Sequence, residues 1–539
     1  MDTKALRQKI LDLAIRGKLV PQNPNDEPAD VLLERIREQK MQMFKEGKLK
    51  KKDIKNDTVI FKGEDNLHYE KFQDGTMKCI EAEIPFELPE GWCWCRLQSL
   101  SIKIGAGSTP TGGSAVYTTS GIKFIRSQNV YNDGLILTDV AYISEEINQK
   151  KSGSIVKAKD ILLNITGGSI GRCALVPDEF DIANVNQHVM IIRLMNLELR
   201  KYIHSVIISS YIQAQILSKQ VGSGRGGLSA ETLSTFLIPL PPMDEQVSII
   251  GKLNNCISQV LTIANEQCKV SDLISTAKSK ILDLAIRGQL VPQDPNDEPA
   301  SVLLERIKAE KEELIKQGKI KRDKKESIIF KGDDNSYYEK LDGEVFCIDK
   351  EIPYDIPDTW TWMRLENCCV KEIRRGKSPK YTENSTVLVF AQKCNTKYNG
   401  IDVSLAQYLD EATLKRYPSD EYMQGGDVVI NSTGTGTLGR VGIYRNTDNT
   451  TGLSIVPDSH VTVIRSFSCI SSHYLYAFMK AHQSELEKKG EGSTNQKELK
   501  PLTLKEMLIA VPPLYEQEHI ENAIGTAFSR LAVIEESLN

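Results

Sequence analysis

Side chains of the kind that read base edges fall in two stretches of the sequence. Between residues 98 and 243 they are Lys123, Arg126, Ser127, Gln128, Asn129 and Arg225; between 366 and 514 they are Arg374, Arg375, Lys377, Gln392, Lys393, Lys397, Asn495 and Lys497. Arg and Lys suit the acceptors of guanine, and Asn and Gln pair with adenine. The first stretch holds 13 Lys+Arg against 10 Asp+Glu, a net of +3, and the second 18 against 16, a net of +2. With the whole chain at −4, the remaining residues carry −9. This asymmetry favours the two stretches as the nucleic-acid side, where phosphate contact by about 6 to 10 cations would dominate affinity. The runs KLKKKDIK (Lys48 to Lys55) and KIKRDKK (Lys319 to Lys325) lie outside both stretches and read as solvated loops, with phosphate tracking as the alternative.

Catalytic chemistry is harder to find. Gly434 to Gly439 fits G-x-G-x-x-G after a strand-like DVVINS, but its counterpart ITGGSIGR in the first stretch loses the pattern, so a Gly-rich turn is the better reading. GSGRGG at Gly222 to Gly227 stands between a helical stretch and LSAETLS, the wrong context for a phosphate loop. VPPLY at Val511 to Tyr515 resembles the Asn/Asp-Pro-Pro-Tyr loop of amino-methyltransferases, yet Val511 offers no side-chain acceptor for an amine. No phosphate-binding GxxxxGK[ST], HExxH or Ser-His-Asp order stands out. The Cys pairs Cys93/Cys95 and Cys368/Cys369 have no C-x-x-C partner, and His188 and His460 read as structural histidines at strand edges. The expectation is a protein with no catalytic set, no metal and no cofactor of its own.

The elements that must position these residues come in duplicate. ILDLAIRGKLVPQNPNDEPADVLLERI (Ile10 to Ile36) returns at Ile281 to Ile307 with 24 of 27 positions identical, at an offset of 271. VIFKGEDN (Val59 to Asn66) returns as IIFKGDDN (Ile328 to Asn335), IPFELPEGWCWCRL (Ile84 to Leu97) as IPYDIPDTWTWMRL (Ile352 to Leu365), and IPLPPMDEQ (Ile238 to Gln246) as IAVPPLYEQ (Ile509 to Gln517). Between these frames the halves align only at Phe124/Asn129/Gly134 with Phe390/Asn395/Gly400, Asp160/Asn164 with Asp427/Asn431, and Gly171/Arg172 with Gly439/Arg440. Alike frames around unlike interiors suit identical partners docking on the frame while each interior reads its own ligand. Short apolar runs (IKFIRSQNV, DILLNIT, RCALVP and HVMIIRL; VLVFAQ, DVVINST, RVGIYR and HVTVIR) are strand signals in both interiors.

After each Pro-Pro the pattern turns helical. Asp244 to Gly288 carries a seam of Ile250, Leu253, Ile257, Val260, Ile274, Ile281 and Leu284, and at 45 residues would run roughly 68 Å. A second copy is split between the ends, its seam running through Ile520, Ile524, Phe528, Leu531 and Ile534 and on to Leu6, Ile10 and Leu13. The expected organisation is residues 1–17 and 515–539 as two parts of a distal helix, 18–97 and 289–365 as repeated frame segments, 98–243 and 366–514 as recognition regions, and 244–288 as a central helix. The fold class is α+β: two β-rich mixed regions separated by a pair of long antiparallel helices in a circular, pseudo-two-fold repeat. The 539-residue length suggests roughly three to four folding units. With no apolar span and no secretory leader pattern, a cytoplasmic location is expected.

The circular repeat, the ILDLAIRGKLVPQ frame, the PLPP-x-x-EQ helix start and the GxxGR and NQHV elements together resemble the specificity subunit of type I restriction-modification systems, over nearly the whole chain. The resemblance implies two target recognition domains, each reading half of an interrupted duplex DNA sequence. It implies helices that set the spacing and dock two methyltransferase subunits. Restriction subunits would complete the complex, and S-adenosylmethionine, ATP and Mg would serve those partners rather than this chain. The competing readings are an autonomous DNA methyltransferase-nuclease, which needs a cofactor pocket, and a coiled-coil adaptor with no DNA role.

Overall fold

The frame sequence at the head of each half folds into the same pieces. A computed structural model describes residues 2–220, 226–322, 327–397, 400–434, 436–491 and 497–538. Helices Ala29–Lys45 and Ala300–Lys316 each begin after a proline in extended conformation. Each turns Ala29, Leu32 and Ile36, or Ala300, Leu303 and Ile307, into the core, the spacing of one helical face. A three-stranded antiparallel meander follows: Val59–Lys62, His68–Lys71 and Met77–Cys79 in the first half, Ser327–Lys331, Tyr337–Leu341 and Glu344–Cys347 in the second. Its first turn puts Asn66 and Asn335 at φ +64°, a left-handed conformation that Asn tolerates better than most residues.

Next comes a strand whose partner lies more than 140 residues away. Cys93–Arg96 pairs antiparallel with Leu237–Leu240, and Thr361–Arg364 with Leu508–Val511. The interior region therefore leaves the frame and returns to it side by side. Between those strands lie, in the first half, a four-stranded sheet built on Ser101–Ala106, Ile161–Asn164, Cys173–Leu175 and Val189–Leu194, and a second built on Ile122–Ile125, Ala141–Ile143, Ile155–Val156 and Ala183–Val185. The second half has Val428–Asn431, Val441–Ile443 and Val461–Ile464 in one sheet and Val387–Phe390, with its neighbours, in another. Helix pairs Arg200–Ile207/Ser210–Ser218 and Ser472–Ala481/Gln483–Lys488 close the interiors, elements the strand pattern did not announce. The fold is α+β.

The chain divides into two units, Met1–Gln267 and Cys268–Asn539, rather than three or four. The reason is that frame and interior share a core. In the first unit Leu11, Ile36 and Trp92 of the frame belong to the same apolar cluster as Ile161, Met190 and Tyr202 of the interior. In the second, Ala285, Ile307 and Trp360 join Ile430, Ile464 and Tyr474.

The unit boundary falls within one helix, Met243–Ile286, flanked in sequence by Thr3–Ile15 and Leu514–Leu538. Gly17 and Gly288 end the helical runs at φ +65° and +67°, and the next N–H closes the last turn in each case, Lys18 onto Leu13 O and Gln289 onto Leu284 O at 2.9 Å. Within the first unit Leu11, Ala14 and Ile15 share a core with Ile249 and Leu253; within the second, Ala285 and Ile286 share one with Ile520, and Lys278 pairs with Glu535 at 2.7 Å. Of the expected seam, Leu253, Val260, Ile274 and Ile520 are buried. Leu6, Ile10, Leu13, Ile250, Ile257, Ile281, Leu284, Ile524, Phe528 and Leu531 are half-buried. Ile534 departs from the pattern at 46% exposed, beside Val533 at 67%. Among the described residues, no helix is long and apolar enough to cross a membrane.

One buried ion pair ties the first frame helix to the interior. Lys40, 1% exposed, donates to Asp57 Oδ1 at 2.7 Å and to the carbonyls of Gln98 and Ser99 at 3.0 and 3.5 Å. Burial pushes the Asp57 carboxyl up to about 6, against the pull of Lys40, and pushes the Lys40 ammonium down. A carboxyl whose folded pKa exceeds its unfolded one, near ~3.9, contributes stability below that value and loses it as pH rises through the folded value. Asp57→Asn removes the titration. Wild type should therefore lose stability relative to the variant, on the order of 2 kcal/mol, between about pH 4 and pH 6, read from urea midpoints across that range.

Candidate nucleic-acid interface

The residues the two interiors share are committed to holding the sheets together. Asp160 takes a bidentate Arg193 at 2.7 and 2.7 Å, and Asp427 takes Arg465 at 2.6 and 2.7 Å, each carboxylate also accepting a backbone N–H three residues earlier. Asn164 donates to the Ser127 carbonyl at 2.8 Å and Asn431 to the Gln392 carbonyl at 3.1 Å. Thr166 Oγ1 lies 2.5 Å from His188 Nδ1, and Thr433 Oγ1 lies 2.6 Å from His460 Nδ1. Both histidines are thus held by a threonine one strand over. Gly171 and Gly439 take φ +85° and +75° at matching turns. The segment from Gly436 to Gly439 is a turn joining two antiparallel strands, so no helix follows it to complete a dinucleotide loop.

These contacts gather several loops at one end of each main sheet. In the first unit they are Gly107–Pro110, the turn Ser127–Asn129, Thr166–Ser169 and Asn186–His188. Lys151 Nζ donates to Ser108 Oγ at 2.6 Å, and Gln187 Oε1 accepts from Thr109 N at 3.0 Å and from the Thr109 hydroxyl. In the second unit they are Arg375–Pro379, the turn Gln392–Cys394, Thr433–Gly439, Asp458–His460 and the residues around Glu498. Thr433 bridges to Glu498, and Lys377 to Asp458.

A four-residue signal marks the first of these loops and escaped the sequence reading: Gly107-Ser108-Thr109-Pro110 and Gly376-Lys377-Ser378-Pro379. In both, a Cβ on the glycine would collide with main-chain oxygens of the crossing loop, Val185 and Asn186 in one unit, Pro457 and Asp458 in the other. The backbone passes so close that only glycine fits.

The expected readers divide into three groups. Gln128, Lys393, Lys397 and Lys497 are exposed, and Ser127 and Gln392 stand half-buried in the turns just described. Several others are engaged within the protein. Lys123 pairs with Asp181 at 2.7 Å, and Arg126 lies over the Tyr117 ring. Arg375 pairs with Glu498 at 3.0 Å. Arg374 donates to Glu421 at 2.6 Å, and Lys377 lies 3.7 Å from the same carboxylate. Glu421, 2% exposed, also meets Lys371 at 3.2 Å, whose ammonium burial pushes down in pKa. Asn129 is a correction: it is 2% exposed, accepting from Arg126 N at 3.0 Å and donating to Ile136 O at 3.0 Å, so its amide is spent on its own turn. Arg225 and Asn495 lie outside the described residues.

The two sheet ends thus differ in chemistry. One presents neutral hydroxyl and amide groups with Lys151; the other presents Arg375 and Lys377 backed by carboxylates. Among the described residues, no group of three or more His, Cys, Asp or Glu is placed to hold a metal ion.

Comparison with known proteins supplies the wider setting. Residues 89–270 and 357–537 match the family model described as the type I restriction modification DNA specificity domain. The chain is 26% identical over 589 aligned positions to the type I restriction enzyme EcoEI specificity subunit of Escherichia coli, covering 97% of this chain and 89% of that one. It is 29% identical over 423 positions to the EcoAI specificity subunit of the same organism, covering 67% of this chain and 62% of the relative's length. In fold it resembles a chain solved in work on complex assembly and conformational transition of the type I R-M system, with TM-score 0.53 and 18% identity over 84% of this chain and 94% of that one.

The glycine crossing yields a direct test. Gly107→Ala and Gly376→Ala should each cost about 1 to 3 kcal/mol of stability. Gly105→Ala, in the strand Ser101–Ala106 that leads to Gly107 and with open space at its Cβ, should cost well under 1 kcal/mol beyond the ordinary scatter of surface changes. Urea unfolding of the three variants makes the comparison.

Proposed function

The chain belongs to the type I restriction-modification DNA specificity family, and from that premise we propose that it is the non-catalytic subunit that reads DNA for its complex. Each interior region recognises one half of an asymmetric, interrupted duplex site. The long helix and the two terminal helices set the distance between half-sites, and the repeated frame docks two copies of a methyltransferase subunit. S-adenosylmethionine, ATP and Mg serve those partners and the restriction subunits, and this chain positions DNA without reacting. Adenine methylation needs the base turned out of the duplex into the partner's pocket, so contacts here set register and sequence rather than chemistry.

One observation carries the reading. The two interiors repeat the same internal contacts, Asp160–Arg193 like Asp427–Arg465 and Gly107 crossing its loop like Gly376, while the loops hung on that scaffold present unlike side chains at the same sheet end. One scaffold with two different reading surfaces suits a site whose halves differ.

The test uses methylation mapped across the genome of cells carrying this chain with its methyltransferase. Arg375→Ala and Lys377→Ala should relax the mapped motif in one half only, and Ser108→Ala with Gln187→Ala should relax it in the other. Each is expected to lower discrimination at the affected half by about tenfold. Relaxation of both halves by either pair would break the assignment of one half-site to each interior.

A further inference from the structure

The outward face of each frame meander is apolar, uncovered and the same in both units. In the first unit Phe61, Tyr69 and Cys79 lie side by side across the three strands, as do Val59, Lys71 and Met77. In the second the rows are Phe330, Tyr338 and Cys347, then Ile328, Lys340 and Val345. The opposite face is fastened to the protein: Glu70 holds Arg96 at 2.7 Å and Glu339 holds Arg364, while Ile60 and Ile329 enter the cores. On the outward face Phe61 is 39% exposed, Met77 64%, Phe330 42% and Val345 52%.

The aromatic side chains of the face also contact one another and their own turn. Phe61 stacks on Tyr69 with centroids 6.1 Å apart and Phe330 on Tyr338 at 5.9 Å. Each tyrosine hydroxyl donates to an aspartate four residues earlier, Asp65 or Asp334, at 2.8 Å in both units. Residue by residue, the outward positions are identical or exchange one apolar side chain for another, whereas Lys78 at the edge becomes Phe346. An exposed apolar patch that keeps its chemistry twice in one chain, beside interiors that do not, calls for one partner met twice.

We infer that these two faces are docking surfaces for two copies of one protein. Its complementary surface would be apolar, with a carboxylate opposite Lys71 or Lys340, the cation that stands at the same place among the described residues of each face. Resting on the function proposed above, that partner is the methyltransferase subunit. Two rows of apolar side chains with one ammonium suit a protein surface, where buried aromatic anchors carry most of the affinity, far better than a phosphate backbone.

The experiment is native mass spectrometry of the full chain co-expressed with its methyltransferase subunit, with DNA binding measured in parallel. Wild type should carry two methyltransferase copies. Phe61→Ser should weaken one of the two sites about tenfold or more and leave one copy at the concentrations used, and Phe330→Ser should do the same. The double variant should carry none. Lys71→Glu with Lys340→Glu repeats the test with charge, for the case in which the serine variants fold poorly, as thermal unfolding would reveal. Folded double variants that keep both copies overturn the inference, and if they lose DNA binding instead, the face belongs to nucleic acid. A wild-type chain that takes up no methyltransferase overturns the functional reading itself, and this inference with it.

Discussion

The short strand pairing at the neck of each interior is the constraint on which the rest of the fold depends. Cys93–Arg96 against Leu237–Leu240, and Thr361–Arg364 against Leu508–Val511, hold the two ends of about 140 residues at strand spacing. Immediately past each second strand, Pro-Pro starts a long helix, and a buried carboxylate locks the junction. Glu245 accepts from Trp92 Nε1 at 2.8 Å and from Gln22 at 3.1 Å; Glu516 accepts from Trp360 Nε1 at 2.8 Å and from Gln293. Burial raises both carboxyls above their usual range, a penalty these donors offset in part. The next residue fixes the helix start, Gln246 donating to Pro241 O and Gln517 to Pro512 O. Frame, interior and helix therefore meet at one polar knot, which explains why Glu-Gln recurs where each of these helices begins.

With its ends held this way, an interior is an insertion whose contents can change without disturbing the frame. What must stay is the small set of contacts that keep its sheets in register. The buried Asp–Arg pairs, the amides of Asn164 and Asn431 and the glycine crossings are of that kind, and each would leave an unpaired buried group or a collision if replaced. What remains free to vary is the set of loops at the sheet end, supported from behind by rigid strands, the usual location for recognition.

This division also explains how far the sequence could be read. The duplication, the α+β class, the long helices and most strands were legible, because repeated words and runs of β-branched residues report directly on backbone preference. The frame meander and the helix pairs behind each sheet were not, since short elements carry too little periodicity. Choosing readers by residue type failed at Asn129, whose amide chemistry is the same whether it faces solvent or, as here, closes its own turn. Arg374 was a similar case: its charge was visible, but the buried Glu421 that holds it comes from a loop 47 residues on. Gly107 and Gly376 were overlooked because Gly-x-Ser/Thr-Pro is too brief to stand out, although its meaning, a backbone crossing with no room for a side chain, is plain in three dimensions.

The carboxylates behind the second sheet end change what its cations are suited for. Arg375 already has Glu498, and Lys377 has Glu421 within 3.7 Å, so a phosphate offers each of them an exchange of partners rather than a first one. Such an exchange adds little to general attraction, because the ion pair broken offsets much of the pair formed. It does penalise an approach that fails to replace the carboxylate with an acceptor of equal quality in the right place, which is how charged groups contribute to selectivity more than to affinity. The first sheet end reaches a similar outcome through a neutral pair, since Thr109 and Gln187 satisfy each other until a better-placed acceptor or donor appears. On the proposed reading, both interiors are built to discriminate among duplexes, and the attraction that brings DNA to them must come largely from elsewhere in the complex.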